Sequence, residues 1–165
     1  MKMIDIIKSR HSTRNYIKKE IERDILVNIV DCARLAPSAN NSQMWEFIVV
    51  TDREKLYDIS ELTEHGKFLK QAAACIIVCS KDTKYYLEDC SAATENILLA
   101  AESYGLGSCW IAADKHNYVE ELKKMLKIPK DYKVVSLVSL GYPTQEEELR
   151  PVKRSLKDVL HWEKW

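Results

Sequence analysis

The chain has 165 residues, enough for one domain burying ~70% of the surface its unfolded form exposes. Twenty-five basic residues balance 25 acidic ones, so the net charge is zero, which argues against a general nucleic-acid binder or a membrane-surface protein. The apolar content of 46% is that of an ordinary globular protein. No apolar run approaches membrane-spanning length, and Met1-Lys2-Met3-Ile4-Asp5 lacks a signal-peptide core, so the expected setting is the cytoplasm.

Ile4, Ile7 and His11 recur at helical spacing, which predicts a short helix over 3–10 that delivers Arg10 at its end. There follows Arg10-His11-Ser12-Thr13-Arg14, in which guanidinium groups stand beside small hydroxyl donors. That combination suits a phosphate monoester, through bidentate forks and short neutral hydrogen bonds. Arg10 and Arg14 share a side whether the segment is helical or extended.

A second helix is expected over 22–36, with Ile25, Leu26, Ile29, Val30 and Ala33 on its apolar face. Pro37-Ser38-Ala39-Asn40-Asn41-Ser42-Gln43 breaks it with loop chemistry. Residues 45–51 read as a strand, 52–62 as a helix, and 74–80 as a buried strand. The longest helix is expected over 84–104. Its centre, 92–101, is too apolar for a surface helix and should run through a core or a subunit interface. Gly105 to Gly107 cap it and lead into a strand over 108–112. Asp114 is the expected N-cap of the next helix, 133–141 the last strong strand, and 156–165 a short amphipathic stretch. Strands separated by helices suggest a central sheet covered on both faces.

Several chemistries fail on inspection. Gly105-Leu106-Gly107-Ser108-Cys109-Trp110 is not a dinucleotide fingerprint, because it follows a helix and opens a strand. Ser38, His65 and Asp52 could be named as a hydrolytic triad, but no nucleophile elbow is present. The four histidines form no pair at metal-ligand spacing. The five cysteines are scattered and read as small buried hydrophobes in a reducing compartment. A polar loop, two cationic segments and a tight Gly turn remain. A site without its own nucleophile is what a bound cofactor carrying the chemistry would need, and a phosphate-bearing one would explain the arginines.

Four motifs in order carry a resemblance across nearly the whole chain: Arg10 to Arg14; Ala36 to Phe47; Gly105 to Ile111; and Gly141-Tyr142-Pro143 followed by Lys153-Arg154. Together they resemble the nitroreductase family of FMN-dependent oxidoreductases. The resemblance implies an α+β fold with three α/β/α layers, a central mixed sheet and an intertwined homodimer binding FMN at the subunit interface. It implies one FMN-binding domain over 1–165, with Arg10, His11, Ser12 and Arg14 on the phosphate and ribityl chain and Arg154 closing the phosphate site. Pro37, Ser38 and Ala39 would approach from the other subunit, supported by Asn41 and Gln43. Ile111 and Ala112 would offer backbone to the flavin ring.

The implied reaction is ping-pong, with NAD(P)H as co-substrate and a small aromatic acceptor, a nitro compound or quinone, and with no nucleic acid or membrane partner. Two other readings stand beside it: another flavin reaction on the same fold, such as reductive dehalogenation or oxygen-linked oxidation, and a flavin-binding redox module without turnover. Val152, Met44 and Ala112-Ala113 depart from the common pattern. The chain is also short where larger members roof the substrate site, so an open, poorly selective site is expected.

Overall fold

The fold is organised around one strand, Tyr132–Gly141, whose seven innermost positions from Val134 to Leu140 are all buried. In the computed structural model, which describes residues 2–144 and 152–165, four strands lie in the order β1-β2-β4-β3. They are β1 (Trp45–Val50), β2 (Ala74–Lys81), β3 (Gly107–Ala112) and β4 (Tyr132–Gly141). The helices are α1 (Met3–Ser9), α2 (Arg23–Arg34), α3 (Arg53–Leu62), α4 (Tyr86–Ser103) and α5 (Val119–Leu126). In the second cationic segment, Pro151-Val152-Lys153-Arg154-Ser155, Pro151 lies outside the described residues.

The pairing corrects one expectation. All three ladders are antiparallel, so these strands do not form a mixed sheet. Among the described residues, parallel pairing is confined to a single bridge between Ser12 and Ser108. The physical reason lies in the connections. Helix α4 is the kind of crossover that sets two strands parallel, and β2 and β3 do run the same way. But β4 enters between them in the opposite sense. From β1 to β2 the chain goes out along α3 and returns through a 3₁₀ turn at Lys67–Gln71, re-entering at the end it left.

Alternation along β2 divides the core. Ala74, Ile76 and Val78 join a cluster with Leu26 and Ile29 of α2 and Cys90, Ala93 and Ile97 of α4. Cys75, Ile77 and Cys79 join a second cluster with Leu56 and Ile59 of α3 and Leu122 of α5. A fully buried Ile or Leu contributes ~1.5–3 kcal/mol, so these two sets of side chains dominate cohesion. The apolar centre of α4 is core, covered by the sheet. Past Ser103 the chain turns at Gly105, with φ of 70°, while the Leu106 amide donates to the Ala101 carbonyl at 3.0 Å.

Three local readings change. On α1 the buried residue is Ile6, whereas Met3, Ile4 and Ile7 are exposed. Asp114 does not cap α5, whose N-cap is Tyr118. Its carboxylate accepts from the Tyr86 hydroxyl at 3.1 Å, and Lys115 turns the chain at φ of 66°. Within 156–165 only Leu156–Asp158 forms a 3₁₀ turn, and the whole stretch is exposed. Among the described residues no helix is long and apolar enough to cross a membrane.

Four cysteines are buried as expected and Cys32 is exposed. Burial pushes the thiols of Cys75 and Cys90 up to about 12 and that of Cys79 up to about 11. At neutral pH, Cys32 should therefore react quickly with a thiol reagent, and Cys75, Cys79 and Cys90 only on unfolding. The sign for stability follows from the same shifts. Above about pH 8.5 unfolded thiols lose protons that the folded ones keep. Stability is thus unaffected by these groups through neutrality and falls above about pH 9, by about 1.4 kcal/mol per pH unit for each thiol. Denaturation midpoints measured from about pH 8 to 10.5 check this.

Candidate functional site

The residues following α1 form an extra ribbon against β3. Ser12 bridges Ser108, and the Thr13 amide donates to the Ser108 carbonyl at 2.8 Å. Further along, the Ile17 amide donates to the Tyr142 carbonyl at 2.9 Å. Tyr16 fastens the ribbon from below. Its hydroxyl lies 2.5 Å from the Thr13 carbonyl and 2.7 Å from Ser139 Oγ, and Ser139 Oγ is 3.4 Å from the Cys109 carbonyl. Gly107 makes this approach possible: a Cβ there would stand 2.6 Å from Thr13 Cγ2, nearer than real Cβ atoms come.

Docked in this way, the ribbon turns Arg14 into a cavity of ≈ 360 Å³ whose wall includes Cys109, Trp110, Ile111 and Ala112 of β3. The Arg14 guanidinium also stands 5.9 Å from the centre of the Phe68 ring, a cation–π contact of ~0.5–1 kcal/mol. Arg10, His11 and Ser12 are half-buried just before it, with His11 Nδ1 3.1 Å from the Ser9 carbonyl.

Four further lining residues, Glu64, His65, His116 and Tyr118, had no place in the sequence-based site. Glu64 and His65 follow α3, while the placement of His116 and Tyr118 depends on a bulge. Val78 pairs with Ser136 but Cys79 with Val134, leaving Val135 over, and its carbonyl accepts from the amides of Ala113 and Asp114 at 3.1 and 3.3 Å. This fixes the exit from β3 and brings His116 and Tyr118 over the cavity, their rings 5.7 Å apart. The Tyr118 hydroxyl donates to the Ala112 carbonyl at 2.5 Å. Burial raises the phenol's pKa, so it stays a donor at neutral pH. The only advance signal was the polar Glu64-His65-Gly66 hinge after an amphipathic helix.

The Pro37–Gln43 segment stands apart and does not line this cavity. Asn40, Asn41 and Gln43 hold φ of 53°, 54° and 49°, left-handed values that cost an L-residue roughly 1–2 kcal/mol each, less for Asn. Local bonds offset part of this: the Gln43 amide donates to Ser38 Oγ at 3.1 Å and Gln43 Nε2 to the Asn41 carbonyl at 3.3 Å. Ser38 and Ala39 are half-buried, while Pro37, Asn41 and Gln43 are exposed. The Asp89 carboxylate, on α4, accepts from the Ala39 amide at 2.9 Å and from Ser42 Oγ at 3.4 Å. Nothing in the sequence marked Asp89 for this. Arg154 lies in the exposed C-terminal stretch and donates to the Asp158 carbonyl at 2.6 Å. The rejected triad stays rejected, because the Asp52 carboxylate caps α3 through the Lys55 amide at 2.9 Å.

A larger cavity of ≈ 560 Å³ lies between α2 and β1, with Leu26, Val27, Val30 and Val49 on its wall and none of the expected site residues. The 10–14 ribbon and β3 residues 111–112 therefore meet at one place, while 37–43 and Arg154 lie elsewhere on the same chain.

Comparison with known proteins adds four matches. A model of the nitroreductase family matches residues 7–74 and 62–142. A protein of Archaeoglobus fulgidus, provisionally named NADH dehydrogenase/NAD(P)H nitroreductase, is 42% identical over 98% of each chain. Two solved structures superpose closely. One, from Bacteroides thetaiotaomicron and provisionally named in the same way, gives a TM-score of 0.92 at 34% identity, over 99% of this chain and 98% of that one. The other, an FMN-dependent nitroreductase of Clostridium difficile R20291, gives 0.89 at 33% identity, over 98% of this chain and 99% of that one.

The ribbon's contact with β3 can be tested directly. Gly107→Ala should push Thr13 away, destabilising the protein by ~1–3 kcal/mol through overpacking and displacing Arg14 from the cavity. Chemical denaturation reads the first effect. Hydrogen exchange at the Thr13 amide, expected to quicken, reads the second.

Proposed function

The chain belongs to the nitroreductase family, and from that premise we propose that it is an NAD(P)H-dependent flavin oxidoreductase. Residues 1–165 form one FMN-binding domain, and the substrate is a small aromatic acceptor such as a nitro compound or quinone, reduced by a ping-pong mechanism. The observation that carries this reading is the meeting of Arg14 with the Ile111–Ala112 backbone at one cavity beneath the Arg10–Arg14 ribbon.

The residues present fit FMN by their donor chemistry. Arg10 and Arg14 offer charged forks, Ser12 a hydroxyl and His11 a ring nitrogen, which together suit a phosphate dianion and a ribityl chain. Bound there, FMN would supply the two-electron chemistry that no side chain of the cavity offers. The chain's own part is to bind and orient. Ile111 and Ala112 offer backbone along one edge and the Tyr118 hydroxyl holds the Ala112 carbonyl in place, and Arg154, which lies apart from the cavity within one chain, is the residue proposed to close the phosphate end. Five free cysteines suit a cytoplasmic, reducing setting.

The same reading makes the protein a three-layer, intertwined homodimer with Pro37, Ser38 and Ala39 reaching the cavity of a second copy, supported by Asn41 and Gln43. Two features support it. The expected contacts fall in separate parts of one chain. In addition, much apolar side chain is uncovered: Trp162 and Trp165 are 80% and 99% exposed, and Met3, Ile4 and Ile7 line the outer side of α1.

The purified protein should be yellow, should release FMN on denaturation, and should consume NADH or NADPH when a nitroaromatic or a quinone is added. Arg154→Ala should weaken FMN binding by ~2 kcal/mol, the loss of a charge-assisted contact. Release of FAD, or unchanged affinity in the variant, counts against the phosphate site. Sedimentation at low micromolar concentration should show one species of twice the chain mass. A monomer retaining its flavin would remove the shared site.

A further inference from the structure

The loop 37–43 holds three non-glycine residues in the left-handed region within four positions, and side chains of α4 hold both the loop and the helix turn before it. Before the loop, Asn96 Nδ2 donates to the Cys32 carbonyl at 2.9 Å, fixing the last turn of α2. Within it, the Asp89 carboxylate takes the Ala39 amide and the Ser42 hydroxyl, 50 and 47 residues away in sequence. Asp89 is 7% exposed, and no ion pair joins it to a cation among the described residues. A buried carboxylate held by neutral donors is costly unless those donors are fixed. Its position in the first turn of α4 places it where the helix dipole favours negative charge. The local bonds of the loop alone leave the Ala39 amide without a partner, so the carboxylate selects one loop conformation.

We propose that Asp89 is the positioning residue of the flavin site: from α4 it clamps Ala39 and Ser42 and so holds Ser38, Ala39 and Asn41 in the geometry that meets the cofactor across the subunit interface. The inference rests on the functional reading above and adds to it a residue that touches neither flavin nor acceptor. Asp89 acts through the loop.

Three variants test it: Asp89→Ala, Asp89→Asn and Ser42→Ala, each as the full chain, with FMN as the probe. Hydrogen exchange of residues 38–43 in flavin-free protein reads the clamp without reference to any function. It should accelerate at least tenfold in Asp89→Ala, which loses both of the loop's hydrogen bonds to the carboxylate. FMN titration reads positioning: Kd should rise about tenfold in Asp89→Ala and the visible band of the bound flavin should shift. Asp89→Asn keeps an acceptor for the Ala39 amide and should recover most of both. Ser42→Ala loses only the longer bond and should fall between, which keeps the test informative if Asp89→Ala does not fold. Unchanged exchange overturns the clamp. Faster exchange with unaltered FMN affinity and spectrum overturns the positioning role and leaves the functional reading standing. Wild-type protein that binds no FMN overturns that reading, and with it the positioning role.

Discussion

The contact on which the site depends is the docking of the ribbon 12–17 against β3 and the end of β4. It includes three backbone hydrogen bonds, from Thr13 to Ser108, from Ile17 to Tyr142 and from Thr144 to Asn15, and the buried Tyr16 hydroxyl shared between the Thr13 carbonyl and Ser139. Removing one partner of such a network would leave other buried polar groups without theirs, which costs more than the bond itself is worth. The network therefore tolerates few arrangements, and Arg14 arrives at the cavity in one position. Gly107 is the complementary requirement, since the backbones meet only where no Cβ intervenes.

Strand β4 is the hub of this design. Ser136 and Ser139 are fully buried within the otherwise apolar stretch 134–140, and each pairs with a hydroxyl from a different element. Ser136 pairs with Thr94 of α4 at 2.7 Å, and Ser139 pairs with Tyr16. The bulge at Val135 supplies the carbonyl that fixes the turn out of β3. Insertion of β4 between two strands running the same way thus does more than make the sheet antiparallel. It lets one strand set the ribbon, the central helix and the loop carrying His116 and Tyr118.

Helix α4 holds the other half of the arrangement. One face fills the core through Ala93, Ile97 and Ala101, while Asp89 reaches into the strained loop and Asn96 holds the last turn of α2 before it. The loop and the cavity are built by separate parts of the molecule. A site needing both is completed most simply by a second copy, and the uncovered apolar side chains of α1 and the C-terminal stretch are in keeping with that.

Much of this was legible in the sequence because it is local. Apolar runs, periodicity and turn residues marked the helices and strands to within a few residues, with the exception of the start of α5; the Arg10–Arg14 and Pro37–Gln43 segments stood out by their chemistry, and Ile111–Ala112 only through the family resemblance. What escaped depends on pairs far apart in the chain. The sense of the sheet turned on where β4 inserts, which no window of residues records. Glu64, His65, His116 and Tyr118 reached the cavity through a bulge in β2–β4 pairing and the fold of two loops. Asp89 looks like any helical acid until the loop 50 residues upstream is laid against it. Periodicity and turn chemistry are written in neighbouring residues, so the sequence by itself determined the elements and the candidate segments. Register, insertion order and the partners of buried polar groups are set by packing between distant segments, and only the tertiary structure decided those.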